Sequence, residues 1–358
     1  MKITAIRTSV LRVPNAPPMS RFYATCVYVV ARIQTDAGVE GLGYTMLMAG
    51  AGAEAVRAYL DRNLVPLMIG EDPLAIGRLW QKMYENDRGI RKKGIPVYAI
   101  SAIDIGLWDL LGKSVERPLW QLFGAHTDRV PVYGSGGFMS YSVDELIAEA
   151  EGFRAHGIRH YKMKIGHPNG MKDVERVGAL RKALGDDMAI MVDVNQRWDV
   201  PTNIRIANRL AQHDIHWYEE PVLADNIAQC GAVARAIPIP VATGENEYTR
   251  YGFRDLIDHQ AAHYLNPDVQ RCGGFSETLK IAHHAAAYDL PIAPHLAPEL
   301  SIHLLVSIPN GAIVEWLAGS PPDLWKEPYH VVDGTMSPPD RPGHGMEFNP
   351  EIVKRYTD

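Results

Sequence analysis

Three acidic residues recur at equal spacing in the middle of the chain and could bind a metal ion. Asp193, Glu219 and Glu245 lie 26 residues apart, and each follows a short apolar run. Hard divalent cations prefer oxygen ligands, and Mg²⁺ uses a few carboxylates while keeping positions for water and substrate. A single acid after a strand is usually a solvated loop residue, but three converging acids would repel one another without a cation. The pattern predicts a Mg²⁺ site.

Two lysines precede these acids in the sequence Lys-Met-Lys. Lys162 and Lys164 are two residues apart, so on a strand their side chains point to the same side. A neighbouring ammonium group and a nearby metal ion both disfavour a protonated lysine. We therefore predict that Lys164 acts as a base near neutral pH; the alternative is an ordinary solvated pair.

Three further candidates end later apolar runs. Asp268 follows Asn266-Pro267, and His295 follows Pro294. An Asp on the next strand would fix the tautomer of the His and stabilise its imidazolium, whereas a lone His is more often structural. Glu315 lies inside an apolar run, which predicts either a protonated hydrogen-bond donor or a structural ion pair.

The elements that must position these residues alternate from residue 126 to 320. Short apolar runs predict strands near 131–134, 159–164, 188–193, 215–219, 239–243, 262–266, 290–294 and 311–316. Longer amphipathic stretches predict helices over Val143–His156, Asp173–Leu184, Pro201–Gln212, Ile227–Ile237, Tyr251–His259, Gly274–Tyr288 and Leu300–Ile308. This alternation predicts an α/β (β/α)8-type TIM barrel, whose chemistry lies at the carboxyl ends of the strands.

Residues 1–125 predict an N-terminal α+β capping domain. An antiparallel β-meander over residues 1–45 is interrupted by Pro14–Phe22 and followed by Met46–Gly52, both interpreted as mobile loops. Helices are predicted over Ala53–Leu60, Pro73–Tyr84 and Val97–Leu111, the last with Gly112 as its C-cap. Beyond residue 320, proline and glycine predict an extended tail, 321–358, that packs back on the capping domain.

Composition excludes several other classes of protein. A net charge of −6 and a pI near 6.2 argue against a nucleic-acid partner. A hydrophobic content of 46% supports a sizeable core, and no apolar run is judged long enough to cross a membrane. Met1–Pro14 lacks the apolar region of a signal peptide. Cys26, Cys230 and Cys272 are scattered, which favours small core residues and a cytoplasmic location.

Together these motifs resemble the mandelate racemase subgroup of the enolase superfamily. The resemblance covers almost the whole chain. It includes Ser101–Lys113 near the end of the capping domain and the Lys-x-Lys, Asp-x-Asn, Glu-Glu-Pro, Gly-Glu-Asn and Asp/His elements of the barrel. It implies a Mg²⁺ cofactor, a small-molecule carboxylate substrate and a homo-oligomer, commonly an octamer.

The resemblance also implies a role for each site residue. Asp193, Glu219 and Glu245 would bind Mg²⁺. Lys164 would be the base on one face, and His295 paired with Asp268 the acid/base on the opposite face. Further residues would contact the substrate carboxylate: Lys162 and Asn195 would neutralise or orient it, and a protonated Glu315 would donate a hydrogen bond as it becomes an enediolate.

The reaction follows from removing a proton α to a carboxylate. If the β-carbon carries a hydroxyl, water leaves and a 2-keto-3-deoxy acid forms. Because most family members with this full Lys/His-Asp set resemble acid sugar dehydratases, the resemblance implies a dehydratase acting on an aldonate or an aldarate, for example of the galactarate/talarate kind. The alternatives are a racemase or epimerase using the same site, and a binding protein on a silenced barrel, which would have a broken site. Lid loops over Asn15–Tyr23 and Tyr44–Gly52 would select the substrate, with Arg21 on its far end and Met46–Met48 as apolar cover.

Overall fold

The computed structural model describes residues 1–86, 89–90, 93–321 and 323–358. The chain begins with a three-stranded antiparallel sheet in the order β1-β2-β3. Its strands are β1 (Ile3–Pro14), β2 (Thr25–Thr35) and β3 (Glu40–Met48). The predicted meander is confirmed.

Both segments interpreted as mobile loops are shorter than predicted. Pro14 pairs with Thr25 and Met48 pairs with Cys26, so the ends of β1 and β3 occupy part of each segment. A short 3₁₀ turn, Met19–Arg21, lies within the first segment. The ends of β1 and β3 pair with β2, which gives their backbone groups hydrogen-bond partners. The turn residues in the sequence did not predict this pairing.

Helices cover one face of this sheet. They are α1 (Ala53–Tyr59), which continues through a π turn (Leu60–Leu64) into α2 (Val65–Met68), then α3 (Ile76–Asn86), α4 (Ile95–Ser114) and α5 (Leu119–Leu122). Helix α4 lies directly against β3. A Cβ on Gly43 would lie 1.8 Å from the carbonyl oxygen of Ala102, and one on Gly106 would lie 3.1 Å from Gly43 N. These glycines allow the close contact that joins helix to sheet.

The prediction that α4 ends at Gly112 is wrong. The helix continues to Ser114, and Gly112 lies inside it. A Cβ at Gly112 would lie 2.6 Å from the Cα of Gly343 in the tail. The glycine is therefore needed because two distant segments approach closely at this point. In the sequence alone, a glycine near the end of an apolar helix looks the same as a helix C-cap.

Helix α4 also corrects the expectation about apolar runs. By length and composition it is apolar enough to cross a membrane. However, 78% of that apolar window is buried inside the protein, where it joins the core of the capping domain. A buried core helix passes the same composition test as a membrane span.

The second domain is a (β/α)8 barrel, as predicted. Its first six parallel strands are β4 (Val130–Gly136), β5 (His160–Lys164), β6 (Ala189–Asp193), β7 (Ile215–Glu219), β8 (Val241–Thr243) and β9 (Tyr264–Leu265). The last strand, β10 (Val314–Leu317), pairs with β4 and closes the ring. The helices between them are α6 (Val143–Ala155), α7 (Gly170–Leu184), α8 (Val200–Leu210), α9 (Ile227–Ala236), α10 (Thr249–Asp258), α11 (Gly274–Ala286) and α12 (Pro298–Leu305).

The seventh position of the barrel departs from the prediction. Residues 290–294 do not form a strand; Ile292 alone makes single bridges to Leu265 and Gly311. Pro291 and Pro294 flank it, and proline has no N–H to extend a ladder. Backbone hydrogen bonds from Ala293 to Leu265 and from Ala312 to Ile292 still join this position to its neighbours, so the ring is continuous here but its ladder is short.

The tail contacts both domains. A hairpin of β11 (Val331–Val332) and β12 (Thr335–Met336) pairs with the start of β4, at the end of the barrel opposite to the strands' carboxyl ends. The last helix, α13 (Pro350–Tyr356), leads to Asp358, whose N–H donates to the carbonyl of Val10 in β1. The tail therefore bridges barrel and capping domain.

Candidate active site

The three predicted metal ligands meet at the carboxyl ends of adjacent strands. Lys164, Asp193 and Glu219 are in register across β5, β6 and β7. Glu245 follows β8 after Gly244, whose φ of +139° turns the chain. One carboxylate oxygen from each of the three acids lies within 4.8 Å of the others. The equal spacing in the sequence therefore corresponds to one cluster in space.

The donor set fits a hard divalent cation. The three acids are 0%, 1% and 8% exposed in chain order, and burial of like charges is costly without a counter-ion. Burial, together with repulsion from Asp193 and Glu245, raises the pKa of Glu219 to about 7 despite Lys162. Glu245 Oε2 is buried and makes no hydrogen bond to the described residues. A cation on these oxygens would satisfy them.

A second ring of polar side chains holds the metal ligands. The amide of Asn246 donates to Glu220 Oε1 at 2.7 Å, and that of Gln196 donates to the same oxygen at 2.9 Å. Glu220 and Asn195 both have φ of +44°, a left-handed conformation rare for residues other than glycine. Glu220 and Asn246 lie directly after two of the ligands in the Glu-Glu-Pro and Gly-Glu-Asn motifs, and Gln196 follows the Asp-x-Asn motif, but the motifs alone predicted no role for these three residues.

Asn195 braces a metal ligand in this arrangement. Its backbone N–H donates to Asp193 Oδ1 at 2.8 Å and its side-chain amide to Asp193 Oδ2 at 3.0 Å. These two bonds fix both carboxylate oxygens of Asp193 through a residue two positions after it in the chain. The predicted contact of Asn195 with a substrate carboxylate stays a prediction.

Lys164 lies beside the metal ligands on one side of the site. Its Nζ donates to Asp193 Oδ2 at 2.5 Å. The expected lowering of its pKa does not come from the protein groups alone. Burial lowers the pKa of Lys164, but Asp193, Glu245 and Glu219 together raise it more, so the net pKa lies above the ordinary value. A cation on the same carboxylates would offset that attraction, so the predicted role of Lys164 as a base requires the metal ion.

The backbone of Lys164 is held by a buried ion pair. Arg176 NH1 donates to the Lys164 carbonyl at 3.1 Å and to Asp173 Oδ1 at 3.1 Å. Arg176 NH2 donates to the carbonyl of Phe138 after β4. This arginine joins two neighbouring strand ends, and the sequence analysis did not identify it.

Glu315 forms an ion pair, the second of the two alternatives that its apolar run predicts, and its predicted hydrogen bond to a substrate carboxylate stays a prediction. Its Oε1 lies 3.0 Å from Lys162 Nζ, and its Oε2 accepts from Leu296 N–H at 2.8 Å. Burial alone would raise the pKa of Glu315, but Lys162 and His295 hold it well below its usual value. Lys162 also donates to Glu219 at 2.7 Å. The ammonium of Lys162 therefore lies between two carboxylates, which keeps it charged.

His295 and Asp268 form the predicted pair on the other side. His295 Nδ1 lies 2.9 Å from Asp268 Oδ2, and its Nε2 lies 3.5 Å from Glu245 Oε2. Burial lowers the pKa of His295, but Glu245 and Asp268 raise it further, so the net pKa lies above the ordinary value. Leu296 and Ala297 follow with φ of +50° and +44°. Consecutive strained residues directly after His295 are typical of a functional site.

Two neighbours of Asp268 were missed by the sequence analysis. Gln270 N–H donates to Asp268 Oδ1 at 2.8 Å, and its side-chain oxygen accepts from Met46 N–H of β3 at 2.6 Å. Arg271 Nε lies 3.0 Å from Asp268 Oδ2. Gln270 and Arg271 follow Asp268 closely in the sequence, and this closeness was the only local feature that could have predicted their contacts with it.

Helix α4 of the capping domain supports the loop that carries Asp268. Ser101 Oγ accepts from Gly273 N–H at 2.9 Å, and Asp104 Oδ2 accepts from Ser276 N–H at 2.9 Å. Trp108 Nε1 donates to Ser276 Oγ at 2.9 Å. The Ser101–Lys113 stretch thus attaches the capping domain to the barrel next to the His295 side.

The first lid segment contacts the loop after β4. Phe22 stacks on Phe138 with ring centroids 3.9 Å apart. Arg21 NH1 pairs with Glu145 at 3.1 Å, and the Arg21 side chain is 59% exposed. The structure does not bring Arg21 into contact with the other predicted site residues among those described, so its role on the far end of a substrate stays a prediction.

Comparisons with known proteins agree with this architecture. The N-terminal domain of the mandelate racemase / muconate lactonizing enzyme family matches residues 4–124, and the enolase C-terminal domain-like family matches residues 145–352. The chain is 37% identical to the 3,6-anhydro-alpha-L-galactonate cycloisomerase of Streptomyces coelicolor, over 91% of this chain and 90% of that protein. It is 36% identical to the L-talarate/galactarate dehydratase of Salmonella typhimurium, over 92% and 82%.

Solved structures give the same result. The crystal structure of a racemase from Streptomyces coelicolor with bound magnesium has a TM-score of 0.95 at 35% identity, covering 99% of this chain and 100% of that chain. The L-talarate dehydratase of Polaromonas sp. JS666, with Mg and L-glucarate, has a TM-score of 0.92 at 36% identity, covering 100% and 97%. The chain belongs to the mandelate racemase / muconate lactonizing enzyme family of the enolase superfamily, as its motifs predicted.

Proposed function

We propose that this protein is a Mg²⁺-dependent dehydratase of a sugar acid, an aldonate or an aldarate of the galactarate/talarate kind. The observation that carries the proposal is that Lys164 and the His295–Asp268 pair flank the same three carboxylates from different sides of the barrel. Dehydratases of sugar acids among the relatives support the substrate class.

The metal ion would be held by Asp193, Glu219 and Glu245. When bound, Mg²⁺ supplies positive charge that stabilises the second negative charge developing on the substrate carboxylate. Two features of the protein favour its binding: three buried oxygen donors within 4.8 Å, and a buried oxygen of Glu245 without a hydrogen-bond partner among the described residues.

Lys164 begins the reaction by removing the proton from the α-carbon. The electron pair of the broken C–H bond moves into the carboxylate and gives an enediolate. The ammonium of Lys162, buried and fixed between Glu219 and Glu315, is a preorganised positive charge next to that carboxylate. Glu315 acts by positioning Lys162, since both of its oxygens already accept bonds.

His295 completes the elimination. Its imidazolium donates a proton to the oxygen on the β-carbon, the C–O bond breaks and water leaves. Asp268 holds the Nδ1–H of His295, so that Nε2 carries the proton that is transferred. The resulting enol takes a proton at the β-carbon and becomes a 2-keto-3-deoxy acid.

One alternative has specific support. The relative from Streptomyces coelicolor is a cycloisomerase of an anhydro sugar acid. In this protein the same acid could protonate a ring ether oxygen on the β-carbon, so that the ring opens without loss of water. A racemase or epimerase would use both faces to invert the α-carbon instead.

Incubation with Mg²⁺ and a panel of aldonic, aldaric and anhydro sugar acids tests the proposal. We expect a 2-keto-3-deoxy acid from at least one open-chain aldonate or aldarate, measured as a semicarbazone and by NMR. Product only from an anhydro acid would select the cycloisomerase. Deuterium incorporation at an inverted α-carbon with no 2-keto acid would select the epimerase, and either result would overturn the dehydratase.

A further inference from the structure

We propose that Arg271 is a positioning residue that locks the His295–Asp268 pair to the third metal ligand. The proposal rests on the proposed function, in which His295 is the acid of the elimination step. Arg271 has two separate contacts, one to the acid/base pair and one to the metal site, and no other basic side chain among the described residues makes both.

The first contact is with the acid/base pair. Arg271 Nε lies 3.0 Å from Asp268 Oδ2, the same oxygen that lies 2.9 Å from His295 Nδ1. The other carboxylate oxygen of Asp268 accepts from Gln270 N–H. One oxygen of Asp268 is therefore held by Gln270, and the other lies between His295 and the guanidinium. The Nε of Arg271 makes an ion pair with this oxygen but no hydrogen bond to the described residues, so Arg271 acts on Asp268 through its charge.

The second contact is with the metal site. Arg271 NH1 donates to the backbone carbonyl of Glu245 at 3.1 Å, and lies 3.6 Å from Glu245 Oε1. The loop carrying Glu245 has no strand partner beyond Thr243 of β8. One planar guanidinium thus connects Asp268, which follows β9, with Glu245, which follows β8.

The surroundings of Arg271 fit a fixed structural cation. The residue is 8% exposed. Tyr98 of α4 and Tyr248 lie near it, with ring centroids 6.2 Å apart. A buried charge is tolerated only when it is paired and hydrogen-bonded, and loss of Arg271 removes one of the two basic partners of Asp268 and leaves His295 as the other.

Arg271 acts on one side of the site only. The Lys164 backbone is held instead by Arg176, through the ion pair with Asp173. Removal of Arg271 is therefore expected to weaken elimination, which needs His295, far more than removal of the α-proton, which needs Lys164.

The experiment compares Arg271→Met and Arg271→Lys with Arg250→Met. Arg250 is the matched control, because it also pairs with a buried acid, Glu277, but contacts no site residue among those described. Three quantities are measured for each variant: Mg²⁺ affinity by calorimetry without substrate, exchange of the α-proton in D₂O, and formation of the 2-keto acid.

For Arg271→Met we expect 2-keto acid formation to fall about 100-fold, because misplacement of a catalytic group by about 1 Å has this effect. Exchange should fall less than about 5-fold, and Mg²⁺ affinity should weaken about 10-fold, as for other residues that orient metal ligands. Arg271→Lys keeps the positive charge but cannot contact Asp268 and Glu245 at the same time. Its losses in 2-keto acid formation, exchange and Mg²⁺ affinity should therefore be smaller than those of Arg271→Met.

Equal losses of exchange and elimination, or Mg²⁺ affinity equal to that of Arg250→Met, would overturn the proposal. If Arg271→Met does not fold, Arg271→Lys decides by the same three measurements. The calorimetric arm needs no substrate, so it still tests Arg271 if the panel of sugar acids fails and the proposed function falls.

Discussion

The two sides of the candidate site are held in place by different kinds of contact. Lys164 lies on a regular strand, in register with Asp193, and its carbonyl is held by an arginine twelve residues along the chain. His295 lies beyond a barrel position with single bridges only. Backbone hydrogen bonds hold both sides, but the ladder is longer on the Lys164 side, and the His295 side has additional support from side chains and from the capping domain.

This difference predicts which substitutions would displace Lys164 and which would displace His295. The ladder between β5 and β6 consists of several backbone hydrogen bonds, so no single side-chain substitution is expected to displace Lys164. The His295 side also relies on a few side-chain contacts, among them Arg271 and the attachment of α4 through Ser101 and Asp104. Variants that separate α-proton exchange from elimination therefore test the comparison directly.

The largest effect should come from the metal site, which serves both sides. Replacement Glu245→Gln, or treatment with a chelator, should lower exchange and elimination together by about 10⁴-fold, because the developing charge loses its main stabilisation. NMR in D₂O and a 2-keto acid assay measure the two rates. Added Mg²⁺ should restore the chelated protein but not the variant, and turnover by Glu245→Gln within threefold of wild type would contradict the metal site.

Removal of Lys164 should be the next largest. In Lys164→Ala both rates should fall about 10³-fold, since proton removal precedes elimination. Lys280→Ala is the control, because Lys280 pairs with Glu277 and contacts no site residue among those described. Retention of exchange in Lys164→Ala would mean that the other face removes the proton and would reverse the assignment of the two sides.

Removal of His295 should separate the two rates. In His295→Asn elimination should fall about 100-fold, the lower range for loss of a general acid, while exchange stays within about threefold. His216→Asn, at the start of β7 and so at the opposite end of the barrel, should change neither rate. Parallel loss of exchange and elimination in His295→Asn would show that the two faces do not work independently.

Arg176 tests how strongly the sheet alone holds Lys164. In Arg176→Met the free energy of unfolding should fall by about 3 kcal/mol, because a buried ion pair is broken and Asp173 keeps only His167 and two backbone N–H groups as partners. Exchange should nevertheless fall only about 10-fold, since the ladder to β6 remains. Urea unfolding and exchange in D₂O measure the two effects. A 100-fold loss of exchange would show that the Lys164 side is as fragile as the His295 side.

Asp104 should give the smallest effect, a change in how stability depends on pH. Burial raises the pKa of Asp104 to about 7, from an ordinary value of 3.8. The folded state then binds more protons than the unfolded state between these values, so the contribution of Asp104 to stability is present at low pH and is lost as pH rises from about 4 to 7. Asp104→Asn should remove this decline. Urea unfolding across pH measures it, and exposed Asp128→Asn serves as control; an unchanged decline in Asp104→Asn would contradict the assignment.

The sequence predicted the Lys164 side well and the supports of the His295 side poorly, for a physical reason. Apolar runs ending in Lys164, Asp193 and Glu219 are local patterns, and parallel strands bring their carboxyl ends together. The role of Arg271 depends on a contact with Glu245, 26 residues earlier, and that of Gln270 on β3 of another domain. No local pattern contains such pairs.

Two positions could not be decided from the sequence alone, for the same reason. Gly112 was interpreted as a helix cap, although its lack of a side chain serves the contact with Gly343. The apolar neighbours of Glu315 left open whether it is a protonated donor or an ion-pair partner, and the contact that distinguishes these is with Lys162 from β5, 3.0 Å away. In both cases the deciding residue is distant in sequence.

Gln270 has a consequence for how substrate preference can diverge. Its side chain accepts from Met46 N–H, its carbonyl accepts from Thr45 Oγ1, and its own N–H holds Asp268. A substitution that reshapes β3 would therefore also disturb Asp268 and, through it, the position of His295. The segment around Phe22 is linked to the opposite side instead, because Phe138, on which Phe22 stacks, offers its carbonyl to the Arg176 that holds Lys164. Changes in the two lid segments should therefore perturb different sides of the site.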